Sequence, residues 1–312
     1  MTLTFAAPAR PGAVGPKPRT RARAVRRTLT GWAFAGPATL VVVGLSLFPA
    51  VWAFFISRTR WNGVAQPRDI GWRNYEQLAQ DPDLAAAAQH TAVLTVLFVP
   101  ASIALGLLLA IALNRRIRLI WFYRTCIFVP YVASAAATGI LAGYVFNPQF
   151  GAANEVLRRA GLPAQQFLEN PRQALLVVVL IALWGEVGFT TVVYLAALQD
   201  VPRELVEAAI VDGAGRWRIL RSVTLPQLRP VTLFTTVWQT ITALQMFDLI
   251  YTTTRGGPMN STQTVVYYVY ELAFQTRRLG YGAAVAYVLF AVTLALTALV
   301  IWRSRRSGEE AF

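Results

Sequence analysis

Stretches of about twenty predominantly apolar residues recur along this chain, at roughly 32–56, 91–113, 120–146, 174–198, 231–253 and 282–302, and their length limits the fold more than any other feature. Twenty helical residues rise about 30 Å, the thickness of a bilayer's hydrocarbon core. A soluble core has no use for that length. Only 14% of the residues are charged, where a soluble domain carries nearer a quarter. The expected fold class is therefore an all-α integral membrane protein, a six-helix transmembrane bundle. Pro49, Pro100, Pro130, Gly139, Gly185 and Gly188 lie inside these stretches, where membrane bundles tolerate kinks and use small residues for close helix approach. The first stretch is longer than a signal-peptide core and lacks a convincing small-x-small cleavage site, so a retained helix is expected.

The charge distribution sets the topology. An even number of spans places both termini on one side. If that side is the cytoplasm, 19 of the 29 Lys and Arg residues lie inside and 10 outside, the bias expected of a chain with cytoplasmic termini. The net charge of +14 thus reads as orientation in a membrane. Nucleic acid is not an expected partner, because no long basic and aromatic surface lies outside the spans. Residues 1–28 form a basic segment poor in apolar residues, expected to be a disordered cytoplasmic tail. Residues 29–302 form the membrane domain and 303–312 a second cytoplasmic tail. The single cysteine, Cys126, permits no intrachain disulfide and is expected to be inert packing. No metal site is expected. The connections are short, about thirty residues at most, and carry no interposed domain.

The connection at 199–230 reads as a built element. Asp200 can cap a helix near 201–212 whose first turn tolerates Pro202, and Gly213 suits the left-handed residue that ends it. Leu205, Ala208, Ala209 and Asp212 share a face suited to a partner, flanked by Arg203 and Glu207. A second short helix is expected over 217–224, stopped by Pro226. The series Glu204, Glu207-Ala208-Ala209, Asp212-Gly213-Ala214, Leu220 and Leu225-Pro226 resembles the EAA loop of membrane subunits of binding-protein-dependent ABC importers, which docks into a groove on the ATPase. Leu220 stands where many relatives carry Phe. Trp72-Arg73-Asn74-Tyr75-Glu76-Gln77-Leu78, Gly256-Gly257-Pro258-Met259-Asn260-Ser261-Thr262, Tyr267-Tyr268-Val269-Tyr270 and Gly280-Tyr281-Gly282-Ala283-Ala284 are similar to outer-loop and span motifs of the first permease in maltose-, lactose- and glycerol-3-phosphate-type systems.

The resemblance implies a subunit of the bacterial inner membrane that works with a second homologous permease, two ABC ATPase subunits, an extracytoplasmic solute-binding protein and membrane lipid. It implies no cofactor on this chain: ATP and Mg belong to the ATPase. Consistent with that, the sequence has no glycine-rich phosphate loop, and its one lysine is Lys17. From the residues themselves, Glu186 and Asp248 are acids deep within spans, where an ionisable group is a functional candidate by default and a packing device as the alternative. Glu186, Thr190 and Tyr194 recur at i, i+4, i+8. Trp238, Thr242 and Gln245, with Thr235, form a stripe on the next span. An aromatic ring beside hydroxyl and amide groups can hold a sugar, and packing explains the same residues. His90 is expected to be solvated or capping. Tyr267, Tyr268 and Tyr270 suit either the binding protein or an interfacial belt. A proton-coupled secondary transporter using Glu186 or Asp248 is the rival reading, and it leaves the cytoplasmic helices unexplained.

Overall fold

The computed structural model describes residues 21–115 and 118–306, so the expectations for residues 1–20 and 307–312 lie outside the described residues. The chain forms two compact units, one through Trp52 and one from Ala53. Helix α1 (Arg21–Val42) passes through a π-type turn at Val43–Leu47 into α2 (Phe48–Ser57). Residues 21–28, expected to belong to an unstructured tail, are the opening turns of α1. Arg and Ala are strong helix formers, and no Gly or Pro interrupts them there, so composition poor in apolar residues did not prevent helix formation. The apolar stretch Thr30–Ser57 has the length of a span, and side chains such as Trp32, Phe34, Leu40 and Leu45 are exposed along it.

The second unit opens on a short hairpin, β1 (Thr59–Arg60) paired antiparallel with β2 (Arg68–Asp69), with Thr59 opposite Asp69. Helix α3 (Arg73–Leu78) follows, then α4 (Pro82–Leu113). Asp81 caps α4, accepting bonds from the backbone N–H of Asp83 at 3.0 Å and of Leu84 at 3.1 Å. Pro82 sits in the first turn, where its missing N–H would have no intrahelical partner. Helices α5 (Ile120–Val132), α6 (Ala135–Val145) and α7 (Ala152–Arg159) precede the second long span, α8 (Ala174–Asp200). The connection after α8 holds α9 (Arg203–Val211), α10 (Arg216–Ile219) and α11 (Leu225–Gln227). Helices α12 (Arg229–Leu244), α13 (Asp248–Thr253), α14 (Val265–Tyr270) and α15 (Leu279–Arg306) complete the chain.

Helices α4 and α8 form the central pair, with Leu94 and Phe98 of α4 buried among Val178, Ile181 and Ile250. Polar contacts inside the bundle fix its register. Gln239 donates to Thr190 Oγ1 at 2.7 Å, and Thr190 lies 3.1 Å from Ser102 Oγ, tying α12, α8 and α4 together. Gly188 lets α8 approach α5: a Cβ there would meet the carbonyl oxygen of Ile127.

Among the described residues, four helical stretches have the length and composition of an uninterrupted span, and a fifth is obtained if the bent pair α5 and α6 is taken together. Two of the six spans expected from the sequence are interrupted. The third is broken: α5 and α6 meet at 100°, with Ala133 and Ser134 extended between them. The fifth is 16 residues of α12 followed by the short α13, interrupted at Gln245, Met246 and Phe247. Pro130 withdraws a backbone donor just before the first break. No Gly or Pro marks the second.

Candidate functional site

The two breaks meet at one cavity of about 480 Å³. Pro130, Tyr131, Ala133, Ala135 and Thr138 line it from α5 and α6, and Thr242, Gln245, Met246, Phe247 and Asp248 from the junction of α12 and α13. Ile181, Ala182, Gly185 and Glu186 complete the wall from α8. Irregular backbone at membrane depth is tolerated where it is buried in protein or lines a cavity, because lipid offers no hydrogen bonds to free N–H and C=O groups. The placement of the cavity and the breaks in the helices therefore explain each other.

Of the solute candidates, Glu186, Thr242, Gln245 and Asp248 share this wall. One oxygen of Glu186, Oε2, is buried and accepts no hydrogen bond among the described residues. Gln245 and Asp248 are exposed to the chamber side. Thr190 and Tyr194 are placed elsewhere, fully buried in helix contacts. Thr190 accepts from Gln239, and the Tyr194 hydroxyl donates to Thr232 Oγ1 at 3.0 Å. Each four-residue step drifts about 40° around a helix of 3.6 residues per turn, enough to carry the Glu186 stripe from the chamber into the α4 and α12 contacts. Trp238 is outside the lining. Its ring packs 5.3 Å from Phe189, which lies 5.2 Å from Tyr131, forming an aromatic row that runs up to the cavity. Tyr131, Thr138, Met246 and Phe247 escaped the sequence reading; the Pro130-Tyr131 step was the available signal for the first two. Cys126, expected as packing, is exposed on α5.

The segment with the EAA-like series follows the C-terminal end of α8. None of the residues of α9 is buried. Leu205, Ile210, Val211 and Trp217 are exposed, Val211 by 87%. Glu204, Glu207, Ala208 and Asp212 are likewise exposed, while Ala209, Ala214, Leu220, Leu225 and Pro226 are half-buried. Gly213 has φ +77° and closes α9 as expected, its N–H donating to the Ile210 carbonyl at 3.0 Å while Ala214 N–H donates to Ala209 at 2.9 Å. Two details differ from the sequence reading. Asp200 ends α8 instead of capping α9, whose flanking residue is Pro202. Pro226 lies in the first turn of α11, so the chain continues helically through a π-type turn at Leu220–Thr224 toward α12. Leu228 is buried against Leu113, Leu195 and Leu198, with Leu225 packed beside it, and this anchors the segment to the spans.

Away from α9, Asn74 is buried and donates to the carbonyls of Ser57 at 2.7 Å and Thr59 at 3.0 Å, which accounts for the amide in the 72–78 motif. His90 Nδ1 lies 3.3 Å from the Gln263 carbonyl, linking α4 to the 256–264 loop. Tyr267 and Tyr268 are buried in the core, leaving Tyr270 alone of the three only partly covered. Tyr268 and Tyr281 both donate to Asp81 Oδ2, at 2.7 and 2.5 Å. The sequence reading passed over Asp81.

A mixed polar and apolar cavity at the meeting of two interrupted helices, among helices of membrane-spanning length, is the setting of a membrane transport component. The chain belongs to the family of binding-protein-dependent transport system inner membrane components, whose model matches residues 102–306. It is 33% identical over 269 residues to the sulfoquinovosyl glycerol transport system permease of Agrobacterium fabrum, covering 85% of this chain and 87% of that one. It is 34% identical over 283 residues to the lactose transport system permease of Rhizobium radiobacter, covering 89% and 94%. Its fold matches a chain of a bacterial alginate ABC transporter, crystallised with its alginate pentasaccharide-bound periplasmic protein, at TM-score 0.82 and 23% identity over 92% of this chain and 98% of that one.

Proposed function

We propose that this chain is one permease subunit of an ATP-driven importer for a sugar or sugar-like solute. The observation that carries the reading is the cavity of about 480 Å³ at the two helix breaks, within the range of small-molecule sites. Its wall presents carboxylates and an amide for hydroxyl groups, and an aromatic ring, Tyr131, for a sugar face. The permeases named for lactose and for sulfoquinovosyl glycerol support a saccharide-like cargo.

In this reading a second homologous permease faces the chamber from the other side, a solute-binding protein delivers cargo from outside, and two ATPase subunits grip the exposed face of α9. ATP hydrolysis takes place on those partners. Closure of the ATPase pair draws the α9 helices of the two permeases together, and the anchored Leu225 and Leu228 pass the motion to the spans. The ligand-dependent shift requires only that the ATPase bind one arrangement of the bundle more tightly than the other. Both termini are cytoplasmic and the spans cross six times, α5 with α6 and α12 with α13 each counting as one interrupted crossing. A proton-coupled carrier would leave the exposed α9 face without a partner, and the family assignment disfavours it.

The test is solute-stimulated ATP hydrolysis by the assembled complex in liposomes. Glu186→Gln and Gln245→Ala are expected to raise the solute concentration for half-maximal stimulation about tenfold, the loss of one or two hydrogen bonds, with the ATPase still bound. Wild-type behaviour of both variants would assign the chamber to packing. Uptake driven by a proton gradient without ATP would overturn the importer reading.

A further inference from the structure

A second cavity, of about 460 Å³, lies at the outer end of the bundle between the hairpin, α3 and the turn that leads into α15. The fold braces it firmly. Trp61 Nε1 donates to the Ala65 carbonyl at 2.7 Å and closes the hairpin. Buried Asn74 pins the chain at Ser57 and Thr59 from below. Gly280 sits so close to the hairpin that a Cβ there would strike the Thr59 carbonyl oxygen.

Three arginines line this cavity, Arg60, Arg277 and Arg278, together with the amides of Asn62 and Gln77, and no carboxylate is among its lining residues. Arg278 lies over the Tyr281 ring, its guanidinium carbon 4.4 Å from the centroid. Among the described residues none of the three arginines enters an ion pair. Like charges gathered round one opening repel each other, and no carboxylate among the lining residues offsets this. Guanidinium forks match a carboxylate in geometry and bind it through paired N–H donors.

We infer that this outer cavity is a socket for an acidic side chain presented by the extracytoplasmic solute-binding protein. The inference rests on the importer reading and deepens it. The socket is at the end of the bundle opposite α9, with Tyr281 and Ala87 buried near it and Leu198 and Leu228 buried at the other end. A protein docking here would exclude water from the arginines and strengthen each charge-assisted bond. A lipid headgroup fits less well, because the aliphatic lining consists of Ala65 and Ile70 and offers no trough for an acyl chain. Of the two rings in the lining, Tyr281 is covered by Arg278, and Trp61 has its N–H engaged within the hairpin.

The experiment uses the whole transporter in liposomes of neutral lipid, with ATP hydrolysis measured against the concentration of its purified binding protein. Stimulation of the wild type checks the importer reading independently, and its absence would sink that reading. Arg277→Glu is expected to raise the half-saturating concentration of binding protein about tenfold or more and to flatten its salt dependence, as rim charges do. An Asp or Glu→Arg change on the docking face of the binding protein is expected to restore it. Arg60→Gln and Arg277→Gln cover the case in which charge reversal blocks assembly. An unchanged half-saturating concentration in variants that retain the ATPase would overturn the socket. So would competition by free galacturonate that Arg277→Gln abolishes, or a requirement for anionic lipid that the same change removes. Those outcomes assign the cavity to a free anion or to a headgroup.

Discussion

Asp81 collects two tyrosine hydroxyls and two backbone N–H groups on one carboxylate. Burial by itself raises its pKa, and the bonds from Tyr281, Tyr268, Leu84 and Asp83 outweigh that and hold it below the ordinary value of 3.8. A carboxyl depressed in the folded state contributes stability above its unfolded pKa and loses it as pH falls through the folded value. Thermal melts of the detergent-purified complex are therefore expected to be insensitive to this group above pH 3.8 and to fall below it. Asp81→Ala is expected to lower stability by about 1–3 kcal/mol at neutral pH, through the lost cap and two orphaned hydroxyls. A melt unchanged at neutral pH would show that the two tyrosines hold the outer end without it. Such a residue was hard to read in advance. Asp81-Pro82-Asp83 announces a helix start, but nothing in the spacing of Asp81, Tyr268 and Tyr281 reveals that nearly 200 residues of chain fold back to join them. Glu186 was legible for a different reason: an acid amid apolar residues marks itself.

At the scale of elements, uninterrupted spans were legible because length and hydropathy carry the signal locally. The breaks in the third and fifth spans were not. Pro130 fits a mere kink as well as a 100° bend, and Gln245-Met246-Phe247 has no breaker residue at all, so that interruption follows from tertiary packing around the chamber. The coupling segment was readable in its turn and misread at its ends. Gly213, with φ +77° and open space where a Cβ would stand, meets strain only in its backbone. Gly213→Val is expected to store about 1–3 kcal/mol there and to re-aim α9, leaving the ATPase bound while solute uptake falls. Glu207→Lys is expected to act on association instead, reducing the ATPase that copurifies. Normal uptake by Gly213→Val with ATPase bound would move the mechanical role elsewhere.

For the whole molecule, orientation is open to a direct test. In a Cys126→Ser background, single cysteines at Thr2 and Ser307 are expected to react with a membrane-permeant maleimide and to resist an impermeant one in intact cells, given the excess of basic residues assigned to the cytoplasmic side. Labelling of either from outside would defeat the six-crossing topology. The exposed face of α9 also bears on the history of the chain before it ever transports anything. Leu205, Ile210 and Val211 of α9 and Trp217 of α10 are exposed, and exposed apolar helix is what chaperones and proteases recognise. Under the proposed function, a subunit synthesised ahead of its ATPase would be marked as incomplete by the same surface that later drives it.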